Sequence, residues 1–187
     1  MAQLPDEVKT PRLTLRRWQP EDAQGMHDAV EASIEHLRPW MAWVAFEPLS
    51  VEARRDLITQ WCAESNSGGD AIFGVFLNDT AIGGCGLHRR RGPDALEIGY
   101  WIHADHARNG YATELARGLT SAALAIDGIE RVEIHHDKAN QISGRVPKRL
   151  GYTMTAEVED EIVAPAETGI SCIWQVTAAE WSDLTEA

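Results

Sequence analysis

The chain has 187 residues, of which 44% are hydrophobic, and a formal net charge of −12. This length favours a single well-packed domain, residues 1–187, over two domains. The acidic balance argues against broad nucleic-acid binding, which needs concentrated lysine and arginine, and it favours cationic partners such as amines.

The first third of the chain predicts a tail, a strand and a set of helices. Residues 1–11 contain two prolines and little periodicity, so we expect a loosely held N-terminal tail. Apolar and polar residues alternate over 13–16, which predicts a strand. Trp40 and Trp43 then fall in a short helical segment, where they either pack into the core or line a substrate site. Ser50 is placed to cap the next long helix.

The middle of the chain predicts a hairpin and a buried strand. Residues 71–78 and 81–88 are apolar and flank a tight turn. Gly86 and its neighbours weaken the second strand and indicate a bulge or a close approach to the backbone. The arginines at 89–91 follow in a loop that is either solvated or able to meet an acidic acceptor. Residues 95–102 are apolar and predict a buried strand.

A strand, a short polar loop and an amphipathic helix follow one another from residue 98 onward. The N–H groups of the first helical turn have no partner within the helix, so such a turn favours anion binding. Residues 111–126 carry the apolar stripe of this helix. The sequence therefore predicts an anion site where the helix begins.

The last third of the chain predicts three strands and two helices. Residues 131–136 alternate in the pattern of a strand, and Asn140 begins a short helix that Pro147 should shorten or kink. Residues 152–158 and 169–176 predict the final strands, whose exposed edge could pair two copies as a homodimer. A capping box from Thr177 to Glu180 predicts a terminal helix.

Cysteine usage and hydropathy exclude two further classes. The three cysteines are neither closely spaced nor even in number, which suggests no disulfide framework and no metal site. No apolar run approaches a membrane span, and the N-terminus lacks the features of a signal peptide. We therefore expect a cytoplasmic protein that does not bind membranes.

Several of these motifs resemble those of one enzyme family. The run Ala107-Arg108-Asn109-Gly110-Tyr111-Ala112 resembles the second half of the pyrophosphate loop of the GNAT acyltransferases, although Ala107 replaces the usual Gln or Arg. Asn140-x-x-Ser143 and the following Leu-Gly-Tyr are similar to motifs of the RimJ/RimL branch. The resemblance implies the α/β (α+β) GNAT fold. Its mixed, mostly antiparallel seven-stranded sheet has splayed central strands, here 95–102 and 131–136, and is flanked by helices.

The resemblance also implies a site for acetyl-CoA. In the family, loop amides bind the pyrophosphate, and backbone groups of the splayed strand bind the pantetheine arm, with a backbone amide of Tyr100 or Trp101 as the oxyanion donor. Asn140 would hold the pantetheine amide and Ser143 would donate to the leaving thiolate, unless both only cap their helix. The residues expected at the cofactor are Tyr100, Trp101, Ile102, Arg108, Asn109, Gly110, Tyr111, Ala112, Asn140 and Ser143. Arg145 and Lys148 could reach the ribose phosphate.

The candidate base is Glu97, which precedes the loop on its strand and could take a proton from the acceptor ammonium through water. Its alternative is a strand carboxylate in an ion pair or in solvent. His135 and His136 are other candidates, although adjacent strand residues point to opposite faces. Trp40, Trp43 and Glu97 are the residues expected to contact the acceptor.

These features predict an N-acetyltransferase that moves the acetyl group of acetyl-CoA to a primary amine by direct attack in a ternary complex. The acceptor would be a protein or peptide N-terminus or a small amine. One alternative is a detoxifying enzyme that acetylates a polyamine, an aminoacyl nucleotide or an antibiotic. Another is an acyl-CoA-binding module without catalysis, since Ala107 and Pro147 both depart from common family patterns.

Overall fold

A computed structural model describes residues 3–186, and its centre is one sheet of eight strands in the order β1-β2-β3-β4-β5-β6-β8-β7. Neighbouring strands are antiparallel except for β5 and β6, which are parallel. The strands are β1 (Glu7–Lys9), β2 (Thr14–Arg17), β3 (Ala71–Leu77), β4 (Thr80–His88), β5 (Ala95–Ile102), β6 (Arg131–Asp137), β7 (Thr153–Glu159) and β8 (Ile170–Thr177).

Within the described residues, six α-helices and three 3-10 segments flank the sheet. The predicted caps are present: Ser50 Oγ accepts the N–H of Ala53 at 3.1 Å, and Glu180 binds back to the N–H of Thr177 at 2.8 Å. No helix within residues 3–186 is long and apolar enough to cross a membrane. The helices are α1 (Ala23–Glu31), α2 (Ile34–Leu37), α3 (Val51–Asn66), α4 (Tyr111–Leu124), α5 (Gln141–Leu150) and α6 (Ala178–Glu186), and the 3-10 segments are Pro20–Asp22, Ala42–Phe46 and Ala104–His106.

The sheet has one strand more than the seven that the sequence predicts. The extra strand is β1, which pairs with β2 inside the segment expected to be a loose tail, and Leu4 just before it is buried. That expectation is therefore wrong for this segment. A strand of three residues with a single apolar side chain, at the edge of the sheet, is too short to give a recognisable alternation.

The predicted splaying of the central strands is confirmed. Pairing between β5 and β6 covers only Ala95–Glu97 against Arg131–Glu133. Beyond these residues the two strands diverge and leave a gap, which we call the strand gap, between residues 98–102 and 134–137. The continuation of β5 leads directly to the Ala104–His106 segment and α4.

The two faces of the sheet carry separate hydrophobic clusters. On one face Leu96 and Ile98 pack with α4 and α5, and this face holds the larger core. On the other face Trp101 packs with a smaller cluster formed with α1, α3 and the Ala42–Phe46 segment. Because strand side chains alternate, Glu97 and Gly99 share the face of Trp101, which we call the Trp101 face.

Candidate active site

The loop before α4 has the geometry of an anion site. Gly110 is the N-cap of α4 with φ 81°, and no side chain caps the first helical turn. The N–H groups of that turn are therefore directed out of the helix, where the helix dipole also favours an anion. Arg108, two residues before Gly110, has φ 64°, which is uncommon for a residue with a Cβ.

The loop is held by its own side chains and by the N-terminal segment. The side-chain amide of Asn109 donates to the carbonyl oxygens of His106 and Ala107, both at 3.2 Å, so any contact of Asn109 with a phosphate would use its backbone. Arg12 donates to the carbonyl of Asn109 at 3.1 Å and lies over the ring of Tyr111. Arg12 thus supports the loop, in which Ala107 takes the place of the Gln or Arg of the resembled motif.

Glu114, in the first turn of α4, is engaged by the same segment. It accepts hydrogen bonds from Thr10 at 2.6 Å and from the guanidinium of Arg12 at 2.6 Å. Partial burial opposes ionisation, but these bonds outweigh it and keep the pKa of Glu114 below its ordinary value. The pairing with Arg12 balances a carboxylate that would otherwise repel an anion at the helix start.

Backbone groups of β5 line one side of the strand gap. The N–H of His103 bonds to the carbonyl of Ile82 at 2.8 Å. Since inward and outward groups alternate along an antiparallel strand, the amide of Trp101 points to β4, while those of Tyr100 and Ile102 point into the gap. This alternation favours Tyr100 over Trp101 as the oxyanion donor.

The opposite side of the gap presents a serine that contacts a tyrosine hydroxyl. The hydroxyl of Tyr100 lies 3.2 Å from Ser143 Oγ and 3.4 Å from the carbonyl oxygen of Ser143. Burial raises the pKa of Tyr100 to about 12, so its phenol keeps its proton. The sequence identified the backbone of Tyr100 but not this hydroxyl.

Pro147 explains why the tyrosine can approach. α5 runs through Pro147 to Leu150, so the proline does not shorten the helix. A proline lacks the N–H that would bond to the carbonyl four residues earlier, which here belongs to Ser143. The phenol of Tyr100 therefore meets a carbonyl that has no helical donor.

Asn140 and His136 fix the start of α5. The side-chain oxygen of Asn140 accepts the N–H of Ser143 at 3.2 Å, so Asn140 caps the helix and only its NH₂ group is available to a pantetheine amide. His136 has both nitrogens occupied, by the carbonyl of Asp137 at 2.8 Å and by the indole N–H of Trp174 at 2.9 Å. A base role for His136 would require breaking one of these bonds.

Glu97 belongs to a buried ion-pair network at the closed end of the gap. Its side chain is 5% exposed and accepts from Arg90 and Arg91. Burial opposes the charged form, but the hydrogen bond and charge of Arg90, with the charge of Arg91, lower the pKa of Glu97. A carboxylate held in this way is a weak proton acceptor, and its predicted role as the base stays a prediction. Of the three arginines of the 89–91 loop, predicted to be solvated or to meet an acidic acceptor, Arg90 and Arg91 bind Glu97 of the same chain.

His135 is the second member of this network. Its Nδ1 lies 2.9 Å from the guanidinium of Arg91, and its Nε2 lies 2.7 Å from Glu133. Because a guanidinium only donates and a carboxylate only accepts, Nε2 carries the proton. Both nitrogens of His135 are therefore engaged.

Two of the predicted acceptor residues lie on one side of the sheet. Trp43 packs against Trp101 with ring centroids 6.0 Å apart and an interplanar angle of 54°, on the face that also carries Glu97. Trp40 is half-buried in the turn that follows α2, and its ring is not in aromatic contact with another described residue. The structure thus brings Trp43, rather than Trp40, close to β5.

Basic residues surround the outer end of the site. A groove of about 780 Å³ runs beside α4 from Gly110 to Arg149. A smaller depression of about 310 Å³ is lined by Arg145, Lys148 and Arg149. Arg145 and Lys148, expected near the ribose phosphate, therefore share one surface depression.

A strand gap that leads to a helix N-terminus, with hydroxyl groups on its wall, is the arrangement of an acyl-CoA-dependent acyltransferase. Residues 12–153 match the family model described as the acetyltransferase (GNAT) domain, so the chain belongs to the GNAT acetyltransferases. It is therefore an N-acyltransferase that uses acetyl-CoA, and the predicted RimJ/RimL-like branch is confirmed.

Relatives of this branch are similar over most of the chain. The protein named "Putative ribosomal N-acetyltransferase YdaF" of Bacillus subtilis is 25% identical over 150 residues, which cover 79% of this chain and 81% of that protein. RimL, an acetyltransferase of ribosomal protein L7/L12 solved with coenzyme A, gives a TM-score of 0.81 at 18% identity, with 91% and 97% covered.

Two further solved structures share the fold. The microcin C7 self-immunity acetyltransferase MccE, solved with acetyl-CoA and AMP, gives a TM-score of 0.84 at 17% identity, with 94% of this chain and 98% of that chain covered. RimJ of Mycobacterium smegmatis, solved with a CoA disulfide, gives 0.83 at 20% identity, with 94% and 89% covered.

Proposed function

We propose that this enzyme acetylates the α-amino group of a polypeptide, by direct attack of the amine on acetyl-CoA in a ternary complex. The observation that carries this choice of acceptor is a set of exposed apolar side chains, here called the rim, on two segments, one of which packs on the Trp101 face through Trp43. Phe46 is 77% exposed, Ile162 is 61% exposed and Val163 is 53% exposed. Exposed apolar side chains of this size are typical of surfaces that bind another chain.

The rim is formed by two segments that are joined to each other. Phe46 ends the Ala42–Phe46 segment, and Ile162 and Val163 lie in the loop between β7 and β8. The N–H of Ala166, in that loop, donates to the carbonyl of Pro39 at 3.0 Å. A polypeptide lying along this rim would present its N-terminus to the Trp101 face.

The gap residues have roles that suit acyl transfer from a thioester. Amides of the first turn of α4 would bind the pyrophosphate, and the amide of Tyr100 would meet the developing oxyanion. Ser143 would donate a hydrogen bond to the departing sulfur, with the phenol of Tyr100 holding the serine in place. Acetyl-CoA supplies the activated acyl group, so the protein has to position the amine, polarise the thioester carbonyl and move protons.

Direct attack is supported by the state of a thiol in the sheet. Cys85 pairs with Tyr100 across β4 and β5 and is buried. Burial raises the pKa of this thiol, and a protonated thiol is a weak nucleophile. A covalent acyl-cysteine at this position is therefore disfavoured.

The small-molecule alternative depends on the two indoles. Trp43 and Trp101 are tilted and packed on each other at a centroid distance typical of a contacting aromatic pair, so no planar ring fits between them. A nucleotide-like acceptor would have to stack on an outer ring face instead. This arrangement supports the polypeptide as the first candidate.

The test measures CoA release with acetyl-CoA and a panel of peptides, polyamines and aminoacyl nucleotides, and compares Phe46→Asp with Glu52→Gln as an exposed control. We expect turnover with peptides, and Phe46→Asp should raise the KM for peptides about tenfold by removing an apolar contact. Turnover confined to small amines, unaffected by Phe46→Asp, would contradict the proposal. Acetyl-CoA binding without turnover of any amine would favour a binding module.

A further inference from the structure

A histidine at the edge of the Trp101 face has a carboxylate partner and a free ring nitrogen. His88 is the last residue of β4, and its Nδ1 lies 2.7 Å from Oδ2 of Asp70, which immediately precedes β3. The other oxygen of Asp70 accepts the backbone N–H of Arg89 at 2.8 Å. These bonds fix the carboxylate, and the carboxylate orients the imidazole.

The bond to Asp70 also determines which ring nitrogen is protonated. An ionised carboxylate can only accept a hydrogen bond, so Nδ1 carries the proton and Nε2 keeps its lone pair. Within the part of the chain that the structure describes, Nε2 has no hydrogen-bond partner, and the side chain of His88 is 18% exposed. Nε2 is therefore available to accept a proton.

Glycines place this nitrogen at the start of the strand gap. A Cβ on Gly86 would lie 2.8 Å from Nε2, and a Cβ on Gly99 would lie 3.2 Å from it, so the imidazole rests on both strands. Gly99 is two residues beyond the last pair between β5 and β6. The close approach that the sequence indicated at Gly86 is thus made by an imidazole that lies over β4 and β5, with Nε2 beside Gly99.

The bases that the sequence predicted near the gap are engaged. Glu97 is opposite His88 in register and binds two arginines, whereas both ring nitrogens of His135 have partners. We infer that His88 is the base that takes the proton from the acceptor ammonium and that Asp70 is the residue that positions it. This inference rests on the proposed function and adds a residue to the same site.

The proton and bond changes balance with this assignment. The ammonium gives one proton to Nε2 of His88, and the resulting amine forms the C–N bond at the thioester carbonyl carbon. The C–S bond breaks, and the second amine proton passes to the departing sulfur by way of the Ser143 hydroxyl. His88 then returns the first proton to solvent.

The charged groups around His88 come from three elements. Asp70 contacts its ring, Glu97 faces it from β5, and Arg90 interacts with both of these carboxylates. Arg89 contributes its backbone N–H to Asp70. Replacing His88 by a neutral side chain leaves the pairing of Glu97 with its arginines in place, so its effect can be attributed to the imidazole.

The experiment compares wild type, His88→Gln, Asp70→Asn and the exposed control His36→Gln, with a peptide that the wild type acetylates. Initial rates are measured from pH 6 to pH 9, with thermal unfolding and acetyl-CoA binding measured in parallel. At pH 7, His88→Gln should lower kcat/KM about 100-fold, and Asp70→Asn should lower it about tenfold. The defect of His88→Gln should shrink to about tenfold or less near pH 9, because an α-amine with a pKa of about 8 is then already neutral.

Each result either supports or overturns the inference. A defect that shrinks as pH rises, with stability and acetyl-CoA affinity unchanged, supports His88 as the base. A defect that is the same at every pH, or no defect, overturns it while leaving the proposed function intact. If His88→Gln fails to fold, the pH profile of Asp70→Asn decides the same point. A wild type that acetylates none of the amines overturns the proposed function and the inference with it.

Discussion

Tyr100 contacts the start of α5, where Pro147 lacks the N–H of an ordinary helical residue, and we expect this contact to contribute to the free energy of unfolding. The phenol lies 3.4 Å from the carbonyl oxygen of Ser143, to which Pro147 cannot donate a hydrogen bond. Tyr100→Phe leaves that partly buried carbonyl without this donor and also removes the contact with Ser143 Oγ. Both distances are long for hydrogen bonds, so we expect a loss of about 1–2 kcal/mol in the free energy of unfolding.

Pro147→Ala provides the matched background. The alanine would restore an N–H that can bond to the carbonyl of Ser143, so the cost of Tyr100→Phe should fall to about 0.5 kcal/mol. The coupling between the two sites would then be about 1 kcal/mol, which a double-mutant cycle can resolve. The cycle cancels the separate effect of the proline on the unfolded chain.

Urea unfolding of the wild type, both single variants and the double variant measures this coupling. The same proteins should show kcat lowered about tenfold by Tyr100→Phe, because Ser143 loses the group that orients it. An equal cost of Tyr100→Phe in the wild type and in the Pro147→Ala variant would show that the phenol does not replace the missing helical donor. Full activity in Tyr100→Phe would refute its role in positioning the serine.

Three further predictions concern the site and the sheet edge. Ser143→Ala should lower kcat about 10- to 100-fold and leave the affinity for acetyl-CoA unchanged, as stopped-flow and binding titrations would measure; an unchanged kcat would exclude the serine as donor. Glu97→Gln should cost about 1–2 kcal/mol at pH 7 by removing a charged partner of two arginines. Folding lowers the pKa of Glu97, so this stabilisation is present at pH values above the ordinary pKa near 4.5 and is lost as the pH falls through the pKa of the folded state. The stabilities of variant and wild type should therefore converge in acid. Glu97→Gln should also retain kcat/KM within about tenfold, and a loss of 100-fold or more would restore Glu97 as the base. Light scattering should show a dimer that Val158→Lys, on the edge strand β7, converts to monomer; a wild-type monomer would exclude pairing through this edge.

The sequence was sufficient for the parts of the fold that depend on local chemistry. Ser50 and Thr177 cap their helices as predicted because a cap is a relation between residues three apart. The splayed strands followed from a family resemblance and not from periodicity. β1 was missed because three residues are too few to show an alternating pattern, and its pairing with β2 is a tertiary contact.

The candidate site was predictable in its residue types but not in its pairings. Glu97 was recognised as a strand carboxylate, yet only the fold shows that Arg90 and Arg91 turn back onto it. The contact of Tyr100 with Ser143 joins residues 43 apart in the chain, and that of His88 with Asp70 joins the ends of two strands. Such contacts depend on register, which is set by the whole sheet.

A peptide with a free α-amine and an internal lysine distinguishes α-amino acetylation from acetylation of other amines. The peptide is incubated with the enzyme and acetyl-CoA, and tandem mass spectrometry then locates any acetyl group. We expect a single acetyl group on the N-terminal residue, and no product from the same peptide with a blocked N-terminus. Acetylation of the lysine alone, or no acetylated peptide while small amines are consumed, would contradict this expectation.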